Sequence, residues 1–322
     1  MSVRFSVVIP VYNVAPFLRE CLDSLLAQTC ADWEAICVDD GSSDGSGEIL
    51  DEYKTRDSRF VVIHQTNAGV GAARNAGLGL AKGAWTYFVD PDDVVHPRLL
   101  EVLSGMVDRH PEADAVSFRW VGFYDGDGIR WHQTEDCTGR AVDISGAVPL
   151  EICETFVWTV ALRRASIGEL RFTALQLCED RLFLLSFFET ARSVVLSGFV
   201  GYQYRLHRNS ASHAVPTVRK FLDTVHYLRT AAATMDHSTK TYPARARRLI
   251  GLQLSENLSV DYRKLRLQDR RRVSGEWHEA LRAVIGGIWC VMPAWVYRLV
   301  RWLKLHGINR KLAWHAGRKP WS

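Results

Sequence analysis

Three carboxylates crowd into one short stretch of the chain, Asp90-Pro91-Asp92-Asp93, directly after the apolar run Ala84-Trp-Thr-Tyr-Phe-Val89. Like charges on one turn repel unless a cation or hydrogen-bond donors compensate them, and a hard divalent ion such as Mg²⁺ takes oxygen ligands from protein and phosphate together. Asp90, Asp92 and Asp93 therefore form a candidate site for a metal that ties a diphosphate to the protein. The plainer use of such a stretch is a turn or a helix cap, for which one Asp suffices. A second acidic segment, Val38-Asp39-Asp40-Gly-Ser-Ser-Asp-Gly-Ser46, puts carboxylates at the end of another apolar run and follows them with small residues. Carboxylates there can accept from a base N–H or a ribose hydroxyl, and the ring of Tyr12 can stack on a base. Taken alone, that segment is equally a solvated Gly/Ser turn.

Both segments need strands to aim them. Apolar runs at Phe5 to Pro10, Trp33 to Val38, Phe60 to Ile63 and Ala84 to Val89 alternate with helical spacing over Leu18 to Ala27, Gly47 to Arg56 and Val70 to Leu80. This βαβαβαβ pattern of short, continuously apolar strands predicts an α/β fold, a Rossmann-like, mostly parallel sheet covered on both faces. In such sheets ligands bind beyond the carboxyl ends of the strands, where Tyr12, Asp40 and the Asp90–Asp93 cluster all fall. Farther on the pattern mixes strand (Ala115 to Phe123, Ser193 to Leu196) with helix (Glu179 to Thr190), and residues 216–305 read as helical with no repeats. The predicted division is a catalytic domain over 1–214, with a nucleotide-binding half at 1–110 and an acceptor half at 111–214, then a helical basic extension at 215–322.

Charge divides at the same place. Of 40 basic and 36 acidic residues, the first 214 positions hold 19 and 29, and the last 108 hold 21 and 7. That asymmetry joins an acidic catalytic part to a basic part suited to an anionic partner. The 47% apolar content excludes a disordered chain, and the seven scattered cysteines contain no Cys-x-x-Cys pair, which argues against a zinc ribbon or a disulfide scaffold. With no apolar leader at the start of the sequence, a cytoplasmic setting is expected.

Four motifs carry a resemblance. Val8-Ile-Pro-Val-Tyr-Asn13, Val38 to Ser46, Gln65-Thr-Asn-Ala-Gly69 with Ala73-Arg-Asn-Ala-Gly77, and Asp90-Pro-Asp-Asp93 resemble, in order and spacing, the family 2 glycosyltransferases of the GT-A fold, especially bacterial enzymes that build cell-surface polysaccharide. The likeness is dense over about the first hundred residues and thins toward Ser212. It implies a nucleotide diphosphate sugar donor, a UDP-sugar for preference, and transfer of one sugar with inversion to a hydroxyl of a saccharide or lipid-linked saccharide. It also implies a divalent cofactor, Mn²⁺ or Mg²⁺. Carried over, Pro10, Tyr12 and Asp40 would hold the donor, with Asp40 accepting from the uracil ring. Arg74 would lie near the diphosphate, Asp90 would contact ribose or metal, and Asp92 would be the main metal ligand with Asp93 beside it. Cys178-Glu-Asp-Arg-Leu-Phe183 resembles the family's Glu-Asp segment and makes Asp180 the general base; on residues alone, Glu-Asp at a helix start is also a favourable dipole contact. Tyr202 to Ser212 resembles a Tyr-x-Tyr-Arg segment whose cations, here Arg205, His207 and Arg208, would close over the diphosphate. Trp158-Thr-Val-Ala-Leu-Arg-Arg164 departs from the family's Trp-Asn-Lys, which leaves its acceptor-side lysine without a counterpart.

Near the end, Pro293 to Lys304 wound as a helix sets Trp295, Val296, Leu299, Val300, Trp302 and Leu303 on one side and Arg298, Arg301 and Lys304 on the other. Such a helix suits an anionic membrane surface, at the cytoplasmic face of the inner membrane if the cytoplasmic setting holds. Packing on the catalytic domain is the alternative. Among rival functions, a processive synthase would carry Gln-x-x-Arg-Trp, where this chain has Gln268-Asp-Arg-Arg-Arg272, and several membrane spans. A sugar-phosphate nucleotidyltransferase would carry a glycine-rich loop where this chain has Pro10-Val-Tyr-Asn13. A non-catalytic binder of membrane or nucleic acid would have no use for Asp90, Asp92 and Asp180, and a nucleic-acid partner is not expected.

Overall fold

The computed structural model describes residues 3–124, 137–149, 152, 156–207, 217–242 and five positions between 268 and 276. Its first half follows the predicted alternation closely. Strands β1 (Phe5–Val11), β2 (Trp33–Asp39), β3 (Phe60–His64) and β4 (Trp85–Phe88) alternate with helices α1 (Ala15–Leu26), α2 (Ser46–Arg56) and α3 (Val70–Leu80). Every residue of β1 and β2 is buried, as expected for strands covered on both faces. Helix α1 starts with Pro16 in its first turn and buries Leu18, Cys21, Leu22 and Leu25, one stripe at three-to-four spacing.

The sheet runs in the order β3-β2-β1-β4, all parallel. From β1 the chain winds outward through β2 and β3, then returns to put β4 on the other side of β1. That reversal opens the ligand position at the carboxyl ends of β1 and β4.

The second half is mixed rather than parallel. A two-residue strand β5 (Val94–Val95) follows the acidic turn, then come α4 (Leu99–Arg109), β6 (Ala115–Tyr124), β7 (Arg140–Asp143), a 3-10 turn over Val157–Thr159, β8 (Val160–Arg163), α5 (Arg164–Ile167), α6 (Glu179–Thr190) and β9 (Ser193–Leu206). The order continues β4-β8-β6-β9-β5, with β7 also on β9. Of these contacts only β6 with β9 is parallel.

The predicted short strand at Ser193 and the Tyr202 segment are one 14-residue strand, β9. It pairs with β6 along nearly its whole length, past a register shift around Arg119. At Gly201 a Cβ would stand 2.5 Å from Leu99 Cδ1, so only glycine lets β9 lie this close to α4.

The packed core does not stop at residue 214. Helix α7 (Val218–His237), capped by the Thr217 side chain accepting from Lys220 N at 3.2 Å, buries Phe221, Val225, Leu228, Ala231 and Met235 in the same core as the sheet. Beyond it, the Lys240 ammonium donates to the carbonyls of Phe188 (2.6 Å) and Ala191, closing the C-terminal end of α6. No helix among the described residues is long and apolar enough to cross a membrane. The predicted amphipathic helix at 293–304 lies outside the described residues.

Candidate active site

On the nucleotide side, Pro10 is buried within β1 while Tyr12, just beyond it, is 52% exposed, an aromatic ring offered at the carboxyl edge. Asn13 takes a positive φ of 48°, a conformation that Asn tolerates better than most residues. From there it accepts from Ser43 N at 2.8 Å, and in the same turn Asp44 accepts from Ala15 N at 2.9 Å. The turns after β1 and β2 are thus laced together. Asp40 is 3% exposed and its carboxylate accepts from Gln65 Nε2 (2.7 Å), Ala68 N (2.9 Å) and Gly69 N (2.8 Å). A carboxylate has about four lone-pair positions, so Asp40 first of all fixes the 65–69 loop and has about one position left for a base. Its neighbour Asp39 accepts from Ser42 N and pairs with His64 Nδ1, both at 2.9 Å. His64 also reaches Asp51 at 3.2 Å, and the two carboxylates hold its pKa above the ordinary value.

The acidic cluster divides into two kinds of carboxylate. Asp90 and Asp92 have side chains 26% and 22% exposed, whereas Asp93 is fully buried. Asp93 accepts from the Tyr202 hydroxyl at 2.5 Å and from Arg205 N at 2.7 Å, and burial, with the charges of Asp92 and Asp90, pushes its pKa well up. It pins the turn to β9, and the structure gives it this task instead of the metal-ligand role expected of it. Asp92 pairs with His207 Nε2 at 2.9 Å; the His207 ring lies 4.5 Å from Phe17, and its Nδ1 is buried without a hydrogen-bond partner among the described residues.

Arg205, expected over the diphosphate, is 4% exposed. It donates to the Asp92 carbonyl at 2.8 Å, pairs with Glu20 and packs between the rings of Phe17 and Phe123. A buried guanidinium needs partners within the fold, and those it finds place it beneath the turn. Arg208 lies outside the described residues.

Arg74 joins this turn to the base side. Nearly buried, it donates to Glu179 Oε1 at 2.6 Å and to Asp90 Oδ1 at 2.9 Å, linking residues far apart in the chain. Beside it, Asn75 exchanges two hydrogen bonds with the Phe172 backbone, at 2.8 and 2.9 Å, and ties α3 to the segment leading into α6. Burial drives the Asp90 pKa up; Arg74 opposes the shift, and the nearby charges of Asp92 and Asp180 add to it. Glu179 is pushed up to about 6, by burial first, with Arg74 opposing and Asp180 adding. Asp180 itself, in the first turn of α6, is partly exposed and accepts from Arg181 N at 2.8 Å. Arg74, bound to both Asp90 and Glu179, ties the predicted donor turn to the start of α6, where the predicted base Asp180 follows Glu179.

The sequence pattern sets Tyr12, Asp40 and the Asp90–Asp93 turn at the carboxyl edge of the sheet, and the family resemblance adds Asp180. Both missed Glu179, Glu20, Tyr202 and Asn75, whose partners are distant in the chain. The metal expectation can be tested against the donor set. Among the described residues no three His, Cys, Asp or Glu side chains form a preformed metal cage. The partly exposed Asp90 and Asp92 nonetheless fit an ion of the Mg²⁺ or Mn²⁺ type, which keeps waters and uses one or two carboxylates together with substrate phosphates.

Known proteins resemble this chain in sequence and in fold. The chain is 45% identical over 119 residues to the uncharacterized glycosyltransferase EpsJ of Bacillus subtilis, covering 37% of this chain and 33% of that one. It is 31% identical over 238 residues to the poly(ribitol-phosphate) beta-glucosyltransferase of Bacillus spizizenii, covering 67% and 34%. The chain spans between about a third and three fifths of the length of the curated relatives it matches. In fold it superposes on S. aureus TarS 1-349, solved in complex with UDP-GlcNAc, with a TM-score of 0.67 at 24% identity over 87% of this chain and 81% of that one. Residues 6–169 match the model of Glycosyl transferase family 2. That match takes in half of the chain, and it makes the protein a member of this family.

Proposed function

We propose that the protein transfers a single sugar from a nucleotide diphosphate sugar, a UDP-sugar by preference, to a hydroxyl of a saccharide or lipid-linked saccharide during cell-surface polysaccharide synthesis. The observation that carries the reading is the Arg74 guanidinium, bound at once to Asp90 in the acidic turn and to Glu179, the residue before Asp180. A donor base stacks on Tyr12 and takes the remaining lone pair of Asp40, above the buried Pro10. Asp92, with Asp90, holds a divalent ion, Mn²⁺ or Mg²⁺, which when bound supplies charge neutralisation for the departing diphosphate. His207 orients Asp92 from below. Asp180 removes the proton of the acceptor hydroxyl as its oxygen attacks the anomeric carbon from the face opposite the leaving group, so the product is inverted.

The names of relatives support the substrate class: one acts on poly(ribitol-phosphate), and TarS was solved with UDP-GlcNAc. The decisive experiment is nucleotide release from a panel of nucleotide sugars, with and without Mn²⁺. Asp180→Asn should lower turnover by roughly 10²- to 10⁴-fold while donor binding persists, and Asp92→Ala should weaken metal-dependent donor binding in calorimetry. Near-normal turnover in Asp180→Asn would take the base role from that residue.

The excess of basic residues after residue 214 supports a further part of the proposal: the segment 293–304 meets an anionic membrane surface, and the enzyme works at the cytoplasmic face of the inner membrane.

A further inference from the structure

Glycine weakens a strand, since it brings no side chain to pack and loses the most backbone freedom on folding. Gly122 nonetheless stands exposed within β6, paired with Tyr204 of β9. Neither backbone nor packing demands it there. Its φ is not positive, and a Cβ built on it would meet Leu206 Cδ1 at 3.5 Å and Trp120 Cζ3 at 3.9 Å, ordinary contact distances. What the glycine does is leave a bare strip of backbone on one face of the sheet. Trp120 and Tyr124 flank it along β6, two residues to either side, and Tyr204 stands beside it on β9. Tyr124 is 45% exposed, and Trp120 and Tyr204 are half-buried.

Packing fixes two of these rings. The buried Trp158 stacks on Tyr204 (5.4 Å between centroids, 13° between planes) and on Tyr202 (4.6 Å, 20°). Trp120 stands nearly perpendicular to Trp158 and to Tyr204, at 5.4 and 5.9 Å. The same face leads to the acidic turn: the Tyr202 hydroxyl donates to Asp93 Oδ2 at 2.5 Å and accepts from Asp90 N at 3.3 Å. Tyr204 follows two residues later, roughly 7 Å along the strand.

A bare strip walled by aromatic rings, and continuous with the turn assigned to the donor, suits one class of ligand. A pyranose presents C–H groups on its faces and hydroxyls around its rim. Its face gains by leaving water for an aromatic ring, while the rim stays hydrated. The missing Cβ lets such a ring come down to the backbone, the close approach that glycine within a strand often marks.

We propose that Gly122, with Trp120, Tyr124 and Tyr204 around it, forms an acceptor subsite that receives the C–H face of a pyranose residue. The inference rests on the reading of the protein as a sugar transferase and names residues for its acceptor side. The test uses the full chain with UDP and Mn²⁺ and, as probes, the methyl β-glycosides of glucose, galactose and N-acetylglucosamine, followed by saturation-transfer NMR. At least one glycoside should take up saturation at its ring C–H protons. Gly122→Val fills the strip with a side chain that suits a strand, so the glycoside signal should vanish while Tm stays at or above wild type and the UDP Kd stays within about twofold. Tyr204→Leu should weaken the glycoside about 10-fold, the scale of one lost aromatic contact, and Tyr204→Phe, which keeps the ring, should stay near wild type. Saturation of none of the three glycosides by the wild type would overturn the proposal. So would an undiminished signal in Gly122→Val, or a parallel loss of UDP binding. Nucleotide release from the donor panel separates the two readings: if no donor releases nucleotide, the transferase reading fails, whereas release without glycoside binding sinks only the subsite.

Discussion

Glu179 shows how one buried carboxylate can tie stability to pH within this site. It sits 7% exposed against Arg74 and beside Asp180, and its pKa is pushed up to about 6 from an ordinary 4.5, burial outweighing the help of the guanidinium. Between those two values the folded chain holds the Glu179 proton and the unfolded chain has released it. Stability therefore falls as pH rises through this window and stays lower above it. Glu179→Gln removes the ionisation while keeping an oxygen that can accept from Arg74. In urea unfolding followed from pH 4.5 to 6.5, the variant should lose less of its midpoint than the wild type over the same range. An equal or steeper fall in the variant would mean that the Arg74 pair outweighs burial at this residue. Asp90, also raised by burial, contributes a slope of the same sign to both proteins.

At the level of elements, β9 holds the donor turn in place, and its fit against α4 sets how much it can shift. Gly201→Ala would put a Cβ 2.5 Å from Leu99 Cδ1 and 3.0 Å from Phe118 Cδ2, both in the buried core. Overpacking of this kind costs about 1 to 3 kcal/mol. It also pushes on the strand whose Gly201 carbonyl accepts from His96 N and whose Tyr202 and Arg205 grip Asp93. Thermal melts should show the destabilisation, and donor affinity should fall with it; an unchanged Tm would mean that Leu99 has room to move. The same strand marks where the sequence was readable. Strands β1 to β4 and helices α1 to α3 declare themselves because burial on both faces leaves continuous apolar runs, and one-sided burial leaves a three-to-four stripe. The two residues of β5 are too few to show any period, and β9 carries Gly198 and Gly201 within it, so its second half does not read as strand. Tyr12, Asp90 and Asp92 stand out by type and by their place at strand ends, and Asp180 by the family resemblance. The tasks of Asp93 and Arg205 do not, because their bonds join residues 109 to 185 positions apart, and no local pattern records such a pairing.

For the molecule as a whole, the proposed contact with an anionic surface has to reconcile a catalytic unit rich in acid with a basic C-terminal part. Helix α7 packs into the core of that unit, so the basic extension is not a separate body from its beginning. The 21 basic residues after position 214 face only 7 acidic ones, while the preceding part holds 29 acidic against 19 basic. Such an excess of basic side chains favours contact of the C-terminal part with an anionic lipid surface. The expected result is that the full chain sediments with vesicles containing phosphatidylglycerol and not with vesicles of phosphatidylcholine alone. Binding should weaken as salt rises, since the Debye length falls to about 8 Å at 0.15 M and about 3 Å at 1 M. Replacing Arg298, Arg301 and Lys304 together by Gln should lower the vesicle-bound fraction and leave donor hydrolysis in solution unchanged. Equal sedimentation with both lipids would assign the attraction to apolar side chains, and no sedimentation with either would return the basic residues to the role of solvated surface.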